Sequence, residues 1–417
     1  MAQLSDDCFA FGGELMPIET ALALIGERVT PIEAIEDVPL AAADGRVVAR
    51  DVHAAVALPP FVNSAVDGWG VRFADLVADR VTELAASGRV AAGQSAEGLE
   101  VAGRAVRLFT GAPVPAGIDT IFMQEDATAR DGVVVLPPGL KRGANLRFLG
   151  EDLAQGVVAL PAGRRLRPQD LALAAAVGLV SLPVRRRLKV ALFSTGDELC
   201  EPGEPLRPAA IYDSNRVLLA SLLRRLGAEV SDLGILRDEP RQLAARLHAA
   251  AHGHDLILTS GGVSTGEEDH VRQAVEGIGS IVFWRLAIKP GRPVAMGVIE
   301  GTPLAGLPGN PVASFVTFVH LVRPLIDRLC GAAPIPAVAV PVRAAFRYRK
   351  RAGRREYVRV ALRPGPDGAL EAAKHPQEGA AILTSLTNTD GLVELPETCT
   401  SVSLGDTVGF FSYATLL

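Results

Sequence analysis

The sequence predicts a multidomain α/β plus β protein built around a central parallel sheet. Two patterns carry that expectation. Between residues 188 and 329, apolar runs alternate with helix-like segments, and the runs end in small, Gly-rich or acidic turns. The segments are LKVALFSTGDEL (188–199), IYDSN (211–215), LRDEP (236–240), LILTSGGVSTGEEDH (256–270), LAIKPGRP (286–293) and LAGLPGNP (304–311). On either side of this region the pattern is different. Short apolar stretches there are separated by Gly, Pro and Asp, which reads as β structure with frequent turns.

Taken in order, residues 17–28 place Ile18, Ala21, Leu22 and Ile25 on one face of a helix opened by Pro17. Pro31 is in a position to open a second helix. Leu58-Pro59-Pro60-Phe61 breaks the pattern and marks a domain edge. From 62 to 149 the stretches Val101–Val106, Thr120–Met123 and Val133–Leu136 predict a small β-rich domain. Short strands at 157–160 and 179–184 flank an Ala-rich helix, RPQDLALAAAVG, that ends at Gly178. After the basic linker 185–187 come a strand at 188–194 and a helix near 215–227. That helix has Asp213 or Ser214 as N-cap and Gly227 beyond its end. A strand at 229–235, a helix at 239–252, a strand at 255–260 and a helix from Asp269 continue the alternation. Strands near 281–287 and 303–306 and a helix from Pro311 to about 329 complete it. Such alternation implies a parallel sheet covered on both faces. From 334 onward, strands at 337–347, 356–362, 391–395 and 407–413 predict a small all-β domain.

Composition narrows the function. The chain has 417 residues, enough for roughly two to four domains. With 42 basic and 47 acidic residues its net charge is −5, which gives no general attraction for nucleic acid or an anionic membrane. The basic clusters Arg185–Arg187 and Arg347–Arg355 read as a solvated linker and a strand edge. Cys8, Cys200, Cys330 and Cys399 lie far apart without C-x-x-C spacing. That spacing excludes a paired-cysteine zinc site and fits reduced thiols in a cytoplasmic setting. The first residues lack the basic and apolar regions of a signal peptide, and no apolar run is long enough to span a membrane. His252 and His254 flank Gly253 just before a strand, where loop or capping roles fit them.

The chemistry is concentrated where strands end. In open α/β sheets, ligands bind at the carboxyl ends of the strands. Ser260, Gly261, Gly262 and Ser264 follow a strand, so backbone N–H groups and hydroxyls can approach an anion there. Neither a P-loop nor G-x-G-x-x-G is present. Glu198, Asp238 and Asp269 each stand just beyond a strand and supply the oxygen ligands that Mg²⁺ takes. Glu267 and Glu268 read as first-turn helix acids. Arg285, Lys289 and Arg292 lie in or before a Pro-stiffened turn and suit an oxyanion such as phosphate or molybdate. Pro308, Gly309, Asn310 and Pro311 form a stiff Gly-containing loop that can cradle a ligand through its backbone.

Together, PPFVNSAVDGW, TGAPVP with MQED, GED, STGDEL, IYDSN, RDEP, TSGGVSTGEEDH, KPGRP and GLPGNP occur in an order that resembles the molybdopterin molybdenumtransferase family, which includes the gephyrin E domain. The resemblance runs nearly end to end. It implies a central molybdopterin-binding α/β domain at 186–333 and a β-rich domain inserted at 58–149. It further implies an elongated linker domain made of 1–57 and 150–185, and a C-terminal β-barrel at 334–417. It implies insertion of molybdenum from molybdate into adenylated molybdopterin, with Mg²⁺-dependent release of AMP. A homodimer with sites formed between subunits is implied as well. The adenylyltransferase of the preceding step and the recipient molybdoenzymes would be protein partners, with no nucleic acid or membrane. Carried over position by position, the functional residues are Thr110, Asp152, Glu198, Asp238, Asp269, Lys289, Pro308 and Pro311. Arg285 stands where the family often has Lys.

Two positions depart from the family pattern. Val62 stands where an Asp is common, and Ala380 follows Gly379 where a Ser is common. These departures support a non-catalytic molybdopterin-binding carrier or scaffold as one alternative; the other is the preceding adenylation step, whose related α/β domain looks alike.

Overall fold

In the computed structural model the described residues are 4–5, 8–9, 15–236, 240–261, 270–275 and 277–416. The helix Ile18–Arg28 forms where the apolar spacing places it, and buries Ile18, Ala21 and Ile25. Full burial of an Ile side chain stabilises by about 1.5–3 kcal/mol. Pro31 opens no helix. The chain there runs extended into the strand Ile35–Pro39, which pairs antiparallel with Ser181–Arg185. Val52–His53 likewise pairs with Val158–Leu160. The segments before and after the inserted β-rich region are thus stitched to each other. The helix between them, Pro168–Ala176, begins with a capping arrangement in which Asp170 accepts the Arg167 backbone N–H.

The inserted region is a six-stranded sheet of Gly68–Val71, Thr82–Val90, Arg104–Leu108, Thr120–Met123, Thr128–Arg130 and Val133–Leu136. The nine-residue strand Thr82–Val90 is missing from the sequence reading, because Ser87-Gly88 interrupts its apolar pattern.

The central sheet is mixed. Glu229–Leu236, Lys189–Thr195, Leu256–Ser260 and Thr302–Leu307 lie side by side in parallel. Pro293–Ile299 then pairs antiparallel with Thr302–Leu307, and Gly279–Arg285 antiparallel with Pro293–Ile299. The antiparallel strand Pro293–Ile299 departs from an all-parallel sheet. A turn at Glu300-Gly301 joins it to its neighbour, so no crossover helix is needed. Helix Ser214–Arg225 is capped by Asp213, whose side chain accepts the Arg216 N–H. Pro311 opens a helix that passes through a π turn at Phe318–Val322 and ends at Leu329.

The C-terminal region closes a five-stranded barrel from Val340–Ala344, Arg355–Pro364, Leu370–Lys374, Gly391–Leu395 and Thr407–Ser412. A short strand of the α/β region, Ile288–Lys289, adds to this barrel in parallel beside Arg355–Glu356. One two-residue strand therefore joins the two units.

The arginines of the linker are not merely solvated. Arg186 makes a two-pronged pair with the buried Asp255 at 2.8 and 3.0 Å, Arg185 donates to the Ile32 carbonyl, and Arg187 to that of Gly227. In the second basic cluster, Arg355 contacts Glu19, Glu394 and Glu397. None of the four cysteines is in a disulfide. Among the described residues no helix is long and apolar enough to cross a membrane.

Candidate functional site

Three parallel strands end in register at one crest: Ser194 lies beside Ser260, and Ser260 beside Leu307. Gly261 follows with φ +87°, and a Cβ at that position would overlap the Thr195 carbonyl oxygen. Only glycine lets the chain turn this close to its neighbouring strand. Ser260 is buried, and its hydroxyl accepts from Asn215 Nδ2 at 2.8 Å. The same Nδ2 donates to the Gly309 carbonyl at 2.7 Å. Asn215 thus ties the 256–261 strand end to the 307–311 loop. Its helix is anchored by Arg216, which pairs with Asp213 at 3.0 Å, Asp232 at 2.5 Å and Glu201.

The crest carries unused hydrogen-bonding capacity. The hydroxyls of Ser194, Thr195, Thr259 and Ser314 and the Asn215 Oδ1 are buried without partners among the described residues. Buried polar groups are normally satisfied, so these orphans, on strand ends and on the two helices that follow them, suit a polar ligand. Glu198 stands at the same edge. It is exposed, and its carboxylate folds back over Gly196, where any Cβ would collide with it. Asp238, Asp269, Gly262 and Ser264 lie outside the described residues.

On the barrel side of the 307–311 loop is a cavity of about 290 Å³. The α/β region contributes Lys289, Arg292, Pro308 and Asn310, and the barrel region Tyr348, Tyr357, Arg359, Lys374 and Ala380. Lys289 Nζ lies 3.3 Å from both the Tyr348 hydroxyl and Glu356 Oε2. Glu356 is only 1% exposed and also accepts from Tyr348 at 2.8 Å and Arg354 at 2.7 Å. Burial works to raise its pKa, but the bonds from Tyr348 and Arg354 and the charge of Lys289 bring it below the ordinary value. The Tyr348 hydroxyl is pushed upward by burial and by Glu356, so it remains protonated as a donor. Arg359 is buried and holds the carbonyls of Gln377 and Gly379 at 3.2 and 3.3 Å. Lys374 pairs with Glu378 on the rim. Gly291 closes the floor with φ +106°, packed where a Cβ would strike the Thr317 hydroxyl.

Of the residues expected from sequence, the structure brings Lys289, Arg292, Pro308 and Asn310 together around the cavity. It places Glu198, Ser260 and Gly261 at the crest. Arg285 is exposed at its strand end and does not line the cavity. Pro311 starts the helix behind the loop. Thr110 and Asp152 do not line the cavity. Thr110 gives its N–H and hydroxyl to Asp67 Oδ1, each at 2.8 Å, and these bonds hold the Asp67 carboxyl below its usual range. Asp152 is exposed, and its N–H bonds to the Leu58 carbonyl. Sequence reasoning missed Asn215, Tyr348, Glu356, Arg359 and Lys374. The available signal was Glu356 and Arg359 within the otherwise apolar run EYVRVAL of the strand Arg355–Pro364.

Comparison with known proteins matches this arrangement over nearly the whole chain. Residues 16–178 match the MoeA N-terminal region (domain I and II). Residues 191–328 match a probable molybdopterin binding domain, and 341–412 the MoeA C-terminal region (domain IV). A molybdopterin molybdenumtransferase of Haemophilus influenzae is 37% identical over 88% of this chain and 91% of its own. Molybdopterin molybdenumtransferase 2 of Mycobacterium tuberculosis is 35% identical over 88% of this chain and 92% of its own. The crystal structure of a molybdopterin biosynthesis moeA protein from Pyrococcus horikoshii superposes with a TM-score of 0.82 at 30% identity, covering 96% of this chain and 100% of that one. The chain belongs to the molybdopterin molybdenumtransferase (MoeA) family.

Proposed function

We propose that the chain inserts molybdenum from molybdate into adenylated molybdopterin and releases AMP. The observation that carries this reading is the juxtaposition of two unlike half-sites on either side of one loop. A crest with orphan hydroxyls, a glycine turn and an exposed carboxylate meets the needs of phosphate groups. A cavity ringed by Lys289, Arg292, Arg359 and Lys374 meets those of a tetrahedral oxyanion. Residues 307–311 border both, so a pterin phosphate at the crest and molybdate in the cavity would lie across one loop from each other.

The donor chemistry at the crest fits Mg²⁺: Glu198 offers carboxylate oxygen with no competing bond among the described residues, and Asp238 and Asp269 would complete the set. Bound there, Mg²⁺ would supply Lewis-acid stabilisation of charge on the leaving phosphate. The chain's own groups do the positioning. Ser260 and Asn215 fix the crest against the 307–311 loop, and Lys289 is held in place by Tyr348 and Glu356. No protein nucleophile is required.

This reading includes a homodimer. Phe61, Phe148 and Leu149 are roughly half-exposed next to Asp152, where the 58–61 and 148–152 segments bond to each other. Such an apolar patch suits a second copy, to whose site Thr110 and Asp152 would then contribute. Four cysteines outside any disulfide suit a reducing, cytoplasmic setting, with an adenylyltransferase upstream and molybdoenzymes as recipients.

The test mixes purified protein with adenylated molybdopterin, Mg²⁺ and molybdate, and follows AMP and pterin-bound molybdenum. Coupled release and incorporation, lost in folded Asp269→Asn and Glu198→Gln, is expected. ATP consumption without molybdate would instead assign the adenylation step. Binding without release would assign a carrier, a reading that Ala380 in the cavity wall favours.

A further inference from the structure

At the opposite rim of the α/β sheet, three side chains with metal-ligating atoms converge. His248 and His252 lie one turn apart on the helix Pro240–Gly253 and therefore share a face. Glu300 occupies the turn between Pro293–Ile299 and Thr302–Leu307, with a φ of 48° that non-glycine residues adopt sparingly. His248 Nδ1 is 2.9 Å from Glu300 Oε1, and His252 Nδ1 is 3.1 Å from Glu300 Oε2. One ligand atom from each of the three lies within 4.8 Å of the others, and the imidazole centroids are 4.6 Å apart.

We infer that this triad binds a divalent transition-metal ion of the zinc type. Two imidazole nitrogens and one carboxylate oxygen form a donor set that selects Zn²⁺, Cu²⁺ or Ni²⁺ over Mg²⁺ or Ca²⁺. A tetrahedral ion with ligands at about 2.0–2.1 Å sets neighbouring ligand atoms about 3.3 Å apart. The two His–Glu separations, one to each carboxylate oxygen, are near that value, so rotamer adjustments that turn one oxygen toward both imidazoles admit the ion. His252 Nδ1 is also 3.0 Å from the His248 carbonyl oxygen, a bond that metal ligation would exchange. The backbone beneath is fixed. The Thr302 hydroxyl donates to the Ala251 carbonyl at 2.9 Å in a buried bond, locking the end of the helix to the strand after the Glu300 turn. His254, by contrast, turns back onto the Ala250 carbonyl at 2.9 Å and plays the capping part expected of it.

The site is separate from the proposed catalytic one. Gly253 precedes the start of Leu256–Ser260 and Glu300 precedes the start of Thr302–Leu307, so the triad sits at the amino ends of parallel strands whose carboxyl ends form the crest. All three side chains face solvent, with 52%, 62% and 36% exposure, leaving a fourth position for water. The ion would clamp the helix to the hairpin turn.

The test titrates the chelator-stripped full chain with Zn²⁺ by calorimetry, in excess Mg²⁺ to occupy carboxylate-only sites. We expect one Zn²⁺ per chain, at least tenfold weaker in His252→Ala and in Glu300→Gln. Both variants should melt like wild type in chelator, because the groups removed are exposed, and Zn²⁺ should raise the melting temperature of wild type alone. Co²⁺ should give tetrahedral d–d bands without thiolate charge transfer, which separates this site from the cysteines. Absence of a bound equivalent, or Zn²⁺ binding unchanged in the two variants, overturns the inference.

Discussion

Lys289 and Glu356 meet at 3.3 Å across the seam between the α/β region and the barrel, and the Glu356 side chain is buried while that of Lys289 remains 44% exposed. The asymmetry assigns different work to the two partners. Glu356 is satisfied three times over and fixes the seam, whereas Lys289 keeps a face toward the cavity. Lys289→Met should weaken molybdate or tungstate binding at least tenfold. It should shift stability by no more than about 1 kcal/mol, since Tyr348 and Arg354 still satisfy Glu356. Calorimetric titration beside urea unfolding measures both. A large stability loss with unchanged oxyanion affinity would reverse the assignment.

Ala380 lines the cavity, and its backbone carbonyl accepts the Val312 N–H at 3.0 Å. Its Cβ position therefore offers a place for a hydroxyl without moving the chain. Ala380→Ser should tighten oxyanion binding about fivefold, the worth of about 1 kcal/mol for one added hydrogen bond. Competition between molybdate and sulfate in the two proteins would read it.

Gly261 combines a positive φ with contact against the Thr195 carbonyl. Gly261→Ala should cost about 2–4 kcal/mol, from left-handed strain plus a displaced strand end. Denaturant midpoints would show the loss. A shift below about 0.5 kcal/mol would mean that the turn relaxes freely and is not a constraint on the crest.

His320 is partly exposed but its ring stacks on Tyr357, with centroids 4.0 Å apart and Nε2 enclosed, and desolvation together with the charges of Arg355 and Arg323 lowers its pKa to about 3. In the unfolded chain an imidazole titrates near 6.5. As pH falls below about 6.5 the unfolded state therefore takes up a proton that the folded state refuses. Stability is held above that value and lost progressively toward pH 3, by about 2 kcal/mol at pH 5. His320→Phe keeps an aromatic ring beside Tyr357 and should flatten the unfolding free energy between pH 6.5 and 5.

How much of this was legible follows from the range of the forces involved. The helix at 18–28, the capped helix after Asp213 and the strand running into Gly261 are specified by local periodicity and local turns, and these can be read from neighbours in sequence. Pro293–Ile299 was hidden because its partner is reached through a two-residue turn, and the preceding KPGRP draws attention as a loop. The acids and cations at strand ends were visible because α/β topology fixes where those ends converge. Arg359 and Glu356 were not, since their importance arises only when a barrel strand packs against Lys289. No local pattern records a contact of that kind. Glu300 was equally silent beside His248 and His252, for the same reason.

Ile288–Lys289 belongs to the α/β region in sequence but to the barrel in its hydrogen bonds, and this sets an order of events during synthesis. The crest can assemble once the chain has reached the helix that follows Pro311. The cationic half of the site cannot exist until the strand carrying Glu356 and Arg359 has left the ribosome and docked. On the proposed reading a nascent chain would thus complete the half for phosphate first and the half for the oxyanion last, and a chain truncated before the barrel would retain the crest but only the α/β wall of the cavity.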